Sequence, residues 1–268
     1  MGALLADRYR ILGSLGRGGQ GRVFEGRDLR TDRRVAIKRY TLGVERAARE
    51  LRALAAVRHP HLVELLDHGP DAEGRLFVVE ALVPGETLAV RLLRGPLSPP
   101  DAARITGQLA GALGALHAAG HAHRDVAPGN VILSPDGAIL ADLGLAHRLA
   151  DEVDLTDPGH LAGTPAYLPP EALAGAGRPG PAGDIYMLAV LLWHMLTGAL
   201  PWQGPTPAAT IARLLLAPAE TLVGAANGIP EMLKPVVRRG VAEDPADRYP
   251  SPEALAKAGV GATRSSPR

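Results

Sequence analysis

The chain has 268 residues, enough for one large domain or two small lobes around a substantial core. Its 29 basic and 28 acidic residues leave a formal charge of +1, which gives no electrostatic reason to expect nucleic acid or an anionic membrane as partner. Cysteine is absent, which excludes disulfides and thiolate metal sites and removes any sign of an oxidising compartment.

The first eight residues lack the long apolar run of a secretory leader. The most apolar stretch, 185–200, is interrupted by His194, Thr197 and Gly198 and is too short to span a bilayer. The expectation is a cytoplasmic protein with no membrane span.

Residues 9–40 and 62–83 read mainly as strands. Gly-rich turns separate short runs such as Arg22-Val23-Phe24-Glu25, Arg34-Val35-Ala36-Ile37 and Leu76-Phe77-Val78-Val79. Between them, 44–57 has helical periodicity, with Ala47, Leu51, Leu54 and Val57 at three- and four-residue steps. After Pro84-Gly85 the pattern becomes helical. Ser98-Pro99-Pro100-Asp101 caps a helix that runs to about Ala119 and closes at Gly120. From Asn130 to Asp142 two short strands alternate around a Pro135-Asp136-Gly137 turn. Residues 151–163 lack periodicity and read as an exposed loop. Helices resume near Pro170, Asp184, Ala208, Glu231 and Ser251, and 259–268 read as a disordered tail. The fold expected is α+β: a small β-rich lobe over about 9–80, a hinge over about 80–85, and a larger, mainly helical lobe to 258.

Three segments carry chemistry in the first lobe. Gly16-Arg17-Gly18-Gly19-Gln20-Gly21-Arg22-Val23 fits G-x-G-x-x-G-x-V, in which glycines let a hairpin backbone close over phosphate oxygens. A dinucleotide fingerprint would need a helix directly after the glycines, and a strand follows instead. Val35-Ala36-Ile37-Lys38 places a small wall and a cation on alternate strand positions. Only three lysines occur in the chain, which draws attention to this one. Glu50 lies on the apolar stripe of its helix, where a carboxylate needs a partner, and Lys38 is the natural candidate.

In the second lobe, His123-Arg124-Asp125-Val126-Ala127-Pro128-Gly129-Asn130 puts an acid and an amide five residues apart on a loop after a helix. Asp142-Leu143-Gly144 follows twelve residues after Asn130, across the two short strands. The paired histidines His59/His61 and His121/His123 lack carboxylates at ligand spacing and read structurally rather than as zinc ligands.

Taken together, these segments resemble the protein kinases, specifically the bacterial eukaryotic-like Ser/Thr branch, over about 9–258 and in the family's order. The resemblance implies a two-lobed fold with ATP between the lobes and Mg2+ as its ion. Gly16, Gly18, Gly19 and Gly21 would cover the phosphates, Val23, Ala36 and Ile132 would surround the adenine, and the backbone of Glu80 to Leu82 would bond its edge. Lys38 would hold the α- and β-phosphates and pair with Glu50. Asp125 would orient and deprotonate a Ser or Thr hydroxyl of a protein substrate, while Asn130 and Asp142 would hold metal. Arg124 would answer a phosphate on Thr156, and Thr164, in Gly163-Thr164-Pro165, would help dock the substrate. Glu171 would pair with Arg248, and Asp184 would brace the catalytic loop.

One position departs from the family pattern. Ser/Thr kinases place lysine two residues after the catalytic aspartate, where Ala127 stands, and the arginine that tyrosine kinases use nearby is Gly129 here. Losing one donor to transition-state charge costs about 3 kcal/mol, roughly 10²–10³ in rate. The expected activity is that of a protein kinase, slowed at this step unless a basic residue such as Arg148 or Arg178 substitutes. The alternative is a nucleotide-binding pseudokinase that acts as a regulatory scaffold. A small-molecule phosphotransferase is disfavoured by the docking segment and Glu171. The oligomeric state is not readable from the chain.

Overall fold

The structure, a computed structural model, describes residues 4–143 except 19–20 and 44–46, and residues 165–264 except 175–176, 178 and scattered positions between 203 and 225. The described residues form two compact units. One holds the residues up to Arg58 and Val63–Pro84; the other holds His59–Leu62, Gly85–Leu143 and the residues from Pro165 onward.

The first unit is an antiparallel sheet of six strands: β1 (Leu4–Leu5), β2 (Tyr9–Gly18), β3 (Gly21–Asp28), β4 (Arg34–Gly43), β5 (Leu65–Pro70) and β6 (Arg75–Ala81). Their order across the sheet is β1-β2-β3-β4-β6-β5. Alternation along the strands divides the sheet into two faces. Leu5, Tyr9, Val35, Ile37, Phe77 and Val79 form a buried cluster, with Phe24, Ile11 and Leu66 packed against it. Ala36 and Lys38 point the other way, and the register places Val23 opposite Lys38 and Glu80 opposite Ala36 on that second face. Helix α1 (Ala47–Leu54) ends three residues before the 57 expected, residues 44–46 of that expectation lie outside the described residues, and the helix buries Leu51 and Leu54.

An ionic cluster ties the start of this sheet together. Arg8 donates to Asp28 at 2.7 Å and to Asp67 at 2.8 Å, and the Tyr9 hydroxyl donates to Asp67 at 2.5 Å. The hydrogen bond from Arg8, with further donors from Arg30 and Thr31, holds the Asp28 carboxyl well below the usual carboxylate range despite its burial.

The second unit opens with β7 (Glu86–Thr87), which joins β8 (Val131–Ser134) and β9 (Gly137–Leu140) in a three-stranded antiparallel sheet. Gly85 adopts φ +143, and a side chain there would put its Cβ 2.2 Å from the Leu133 carbonyl oxygen, so only glycine allows this close entry into β7. Helix α2 (Leu88–Leu92) is capped by the Thr87 side chain. Helix α3 (Pro99–Ala118) has Ser98 as its N-cap, proline in the first turn, and Gly120 at φ 78 just beyond its end, as its sequence signals require.

Among the described residues, four more α-helices are complete: α4 (Pro170–Leu173), α5 (Pro181–Thr197), α6 (Lys234–Gly240) and α7 (Pro252–Arg264). Nearly every residue of α5 from Gly183 to Leu196 is buried, which marks it as the central helix of this unit, with α3 and α6 packed on it. The last helix continues to Arg264, into the segment expected to be disordered. Its turns bury Leu255, Ala256 and Gly259, and that packing outweighs the poor helix propensity of the glycines. No helix among the described residues is long and apolar enough to cross a membrane.

Candidate active site

The first unit supplies a cation on the second face of its sheet. Lys38 sits on β4 between two neighbours, β3 and β6, and shares its face with Val23 and Ala36. Its ammonium meets both carboxylate oxygens of Glu80, at 3.1 and 3.4 Å. The two side chains are 12% and 3% exposed, so the pair is largely withdrawn from water. The sequence alone points to Glu50 as the partner of Lys38 and assigns Glu80 through its backbone only. Glu50 falls on α1, but its side chain lies outside what the structure describes.

The glycines of the G-x-G segment differ in what they are for. A Cβ on Gly21 would lie 2.1 Å from the Arg39 carbonyl oxygen, so strand pairing alone demands glycine there. A Cβ on Gly16 would meet nothing within 4 Å, which leaves its surroundings open to a ligand. Gly18 ends β2, and Gly19 lies outside the described residues. Glu80 is flanked by Ala36 on one side and Leu65 on the other, whereas Leu82 lies one residue past the end of β6 and is half-buried.

In the second unit the loop from His123 to Asn130 is fastened from several directions. Asp184, fully buried on α5, accepts the backbone N–H groups of His123 and Arg124, each at 2.7 Å. Its carboxylate also meets Nε2 of His117 at 2.7 Å. Arg124 is held at φ 72, an uncommon conformation for a non-glycine residue, and its side chain donates to the Pro179 carbonyl at 3.2 Å. The His123 ring is buried. Its Nδ1 accepts the Asp125 N–H at 3.3 Å, so Nε2 carries the proton and donates to Ala141 at 3.2 Å.

These bonds set Asp125 at the head of the loop. Asn130 closes it by donating from Nδ2 to the Asp125 carbonyl at 2.9 Å, which leaves its Oδ1 as an acceptor for another partner. The Ala141 N–H donates to the Asn130 carbonyl at 2.8 Å, tying the residue before Asp142 to the loop. Asp142 itself adopts φ 57. Asp125, Asn130 and Asp142 thus belong to one hydrogen-bonded segment, while Ile132 is half-buried on β8. Ala127 is 7% exposed, and its methyl stands where the resemblance expects an ammonium. Thr156, Thr164, Arg148 and Arg178 lie outside the described residues.

The segment from Pro165 to Glu171 is anchored separately. The Tyr167 hydroxyl and His194 Nδ1 are 2.5 Å apart, and the Trp202 indole donates to the Ala166 carbonyl at 2.9 Å. Arg248 reaches Glu171 through two bonds of 2.8 Å and also donates to the carbonyls of Ala182, Ala242 and Glu243. The sequence missed His117 and His194. Each is an imidazole at the end of a helix with a strongly apolar face, and that was the available signal.

Residues 9–258 match the family model described as "Protein kinase domain". Among curated proteins, the chain is 39% identical over 251 residues to the serine/threonine-protein kinase PknE of Mycobacterium tuberculosis, a match that covers 90% of this chain and 44% of that protein. It is 38% identical to PknH of Mycobacterium bovis, over 93% of this chain and 43% of that protein. PknL of Mycobacterium tuberculosis is 36% identical, over 92% of this chain and 63% of its own length. The chain thus spans less than half the length of PknE and PknH. A braced loop bearing Asp125 and Asn130, a strand lysine and the Glu171–Arg248 pair agree with a match that runs almost end to end: the chain belongs to the protein kinase family.

Proposed function

We propose that the chain is an ATP-dependent protein kinase that transfers the γ-phosphoryl group to Ser or Thr hydroxyls of proteins. The observation that carries this reading is the fastening of Asp125 and Asn130 in one loop by Asp184 and by the Asn130–Asp125 bond. An acid so held can accept the hydroxyl proton as the oxygen attacks phosphorus, and little other covalent work is asked of the protein.

The other residues divide the binding. In the first unit, Lys38 would donate to the α- and β-phosphates, the glycines of the G-x-G segment would let the backbone cover them, and Val23 and Ala36 would face the adenine. With Glu80 inside the sheet, Leu82 is the better placed backbone for the edge of the base. The donor set fits Mg2+: the Asn130 Oδ1 and the Asp142 carboxylate are oxygen ligands suited to a small hard cation. When bound, the ion offsets phosphate charge. Arg124 is assigned to a phosphate on Thr156, and Thr164 to substrate docking.

A second reading, a nucleotide-binding pseudokinase, is favoured by one observation, the methyl of Ala127 at the position of an expected cation. The two separate in one assay. Mg2+-dependent transfer from ATP to the protein itself and to a generic basic protein is measured beside an Asp125→Asn control. The kinase reading expects turnover well above the control. Nucleotide binding with turnover equal to the control would sink it.

A further inference from the structure

The sheet face that carries Lys38 also carries its counter-charge. Glu80 lies directly across from Ala36, and Val78 directly across from Lys38, so Glu80 and Lys38 are diagonal neighbours on hydrogen-bonded strands. A diagonal spans about 7–8 Å between backbones, within reach of two long side chains, and the small Ala36 leaves the path open. Among the described strand residues, the other acid on this face, Glu25, is bonded to Arg34 at 2.7 Å.

We infer that Glu80 is a positioning residue for Lys38, holding the ammonium on the face where nucleotide phosphates bind. The ligand's identity rests on the kinase reading above. Lysine has a long flexible stem and a strongly hydrated head, so a site that is to place it must both order the stem and replace lost water. Glu80 does both at 3.1 Å with its side chain 3% exposed. An ammonium has three donors, so a carboxylate partner does not exclude a phosphate oxygen. Because β4 and β6 are adjacent strands of one sheet, this hold on Lys38 is built into the sheet and is present before any ligand arrives.

The test is a double-mutant cycle read by Mg-ATP binding in calorimetry, using the chain as it stands. Lys38→Met, Glu80→Gln, their combination and the conservative Glu80→Asp are compared with the wild type. Glu80→Gln is expected to weaken binding by about tenfold, in the range of coupled charge pairs. In the Lys38→Met background the same change is expected to alter binding less than about twofold, because its effect passes through the lysine. Glu80→Asp should recover part of the loss, and the KM for ATP should rise more than kcat falls. The inference is overturned by an equal effect in both backgrounds, by no effect, by tighter binding (which would make Glu80 a competitor of phosphate), or by absence of Mg-ATP binding. Wild-type turnover equal to Asp125→Asn, with the binding cycle still coupled, would remove the kinase reading and leave the role of Glu80 standing.

Discussion

Glu171 and Arg248, 77 residues apart in sequence, meet through two parallel 2.8 Å hydrogen bonds, with the arginine side chain completely buried and the glutamate a quarter exposed. The guanidinium also lies over the Tyr186 ring, 4.9 Å from its centroid, and fills its remaining donors with backbone carbonyls. This is a fork matched to a carboxylate, a geometry that lysine cannot reproduce.

Breaking such a pair from either side leaves a charge without its counterpart. Arg248→Ala should lower stability by about 3–5 kcal/mol, since it also strips three carbonyls and leaves a void beside Tyr186. Glu171→Gln keeps the shape and one acceptor and should cost less. Denaturant unfolding of the two variants would check the order, and equal stabilities would contradict it.

Ala127 offers the most direct probe of rate. If the missing cation limits chemistry, Ala127→Lys should raise turnover by about 10²-fold, the usual worth of one donor to developing charge. The measurement is steady-state transfer at saturating ATP. An unchanged rate would mean that another basic side chain already serves or that a different step limits.

The Tyr167–His194 contact makes the segment around Tyr167 sensitive to acid. Burial pushes the Tyr167 phenol well above its ordinary range, so it keeps its proton and donates; burial lowers the His194 imidazole from 6.5, so it stays neutral and accepts. A base whose folded value is depressed loses stability as pH falls below its unfolded value, because the unfolded chain binds the proton first. Stability is therefore expected to be fully present above pH 6.5 and to decline below it, continuing until the lower folded value is passed. Tyr167→Phe should remove the hydroxyl contact at a cost of about 1 kcal/mol at neutral pH. Amide exchange at Ala166 and Leu168, followed from pH 7.5 to 5.5, checks the local effect; protection that does not change with pH would refute it.

What could be read from the chain and what could not follow a physical division. Strands β2 to β6 and helix α3 announce themselves through local pattern: alternation of two, a serine cap, a closing glycine. The bracing of the loop by Asp184 is expected from the order of motifs, whereas the Asn130–Asp125 bond within it is not. Other features depend on contacts that no local window contains. Which way Glu80 points depends on the β4–β6 register, and a shift of one residue reverses the face. His117 finds its partner 67 residues away and Tyr167 finds His194 27 residues away. Strands β1 and β7, with two residues each, are too short to carry a period. Gly259 and Gly261 hide the extra turn of α7 from any local reading, and the burial of Leu255, Ala256 and Gly259 offsets their low propensity.

The sheet of the first unit has one further consequence, for how errors in its assembly are sorted. In the observed alignment Val35, Ile37, Phe77 and Val79 enter the core while Lys38 and Glu80 meet on the opposite face. Sliding β6 by a single residue would turn Glu80 inward among these apolar side chains and separate it from Lys38. Both faults would be costly, and they would occur together. A mispaired chain therefore cannot keep a sound interior and a defective site, or the reverse. Quality control over the fold is at the same time quality control over the chemistry.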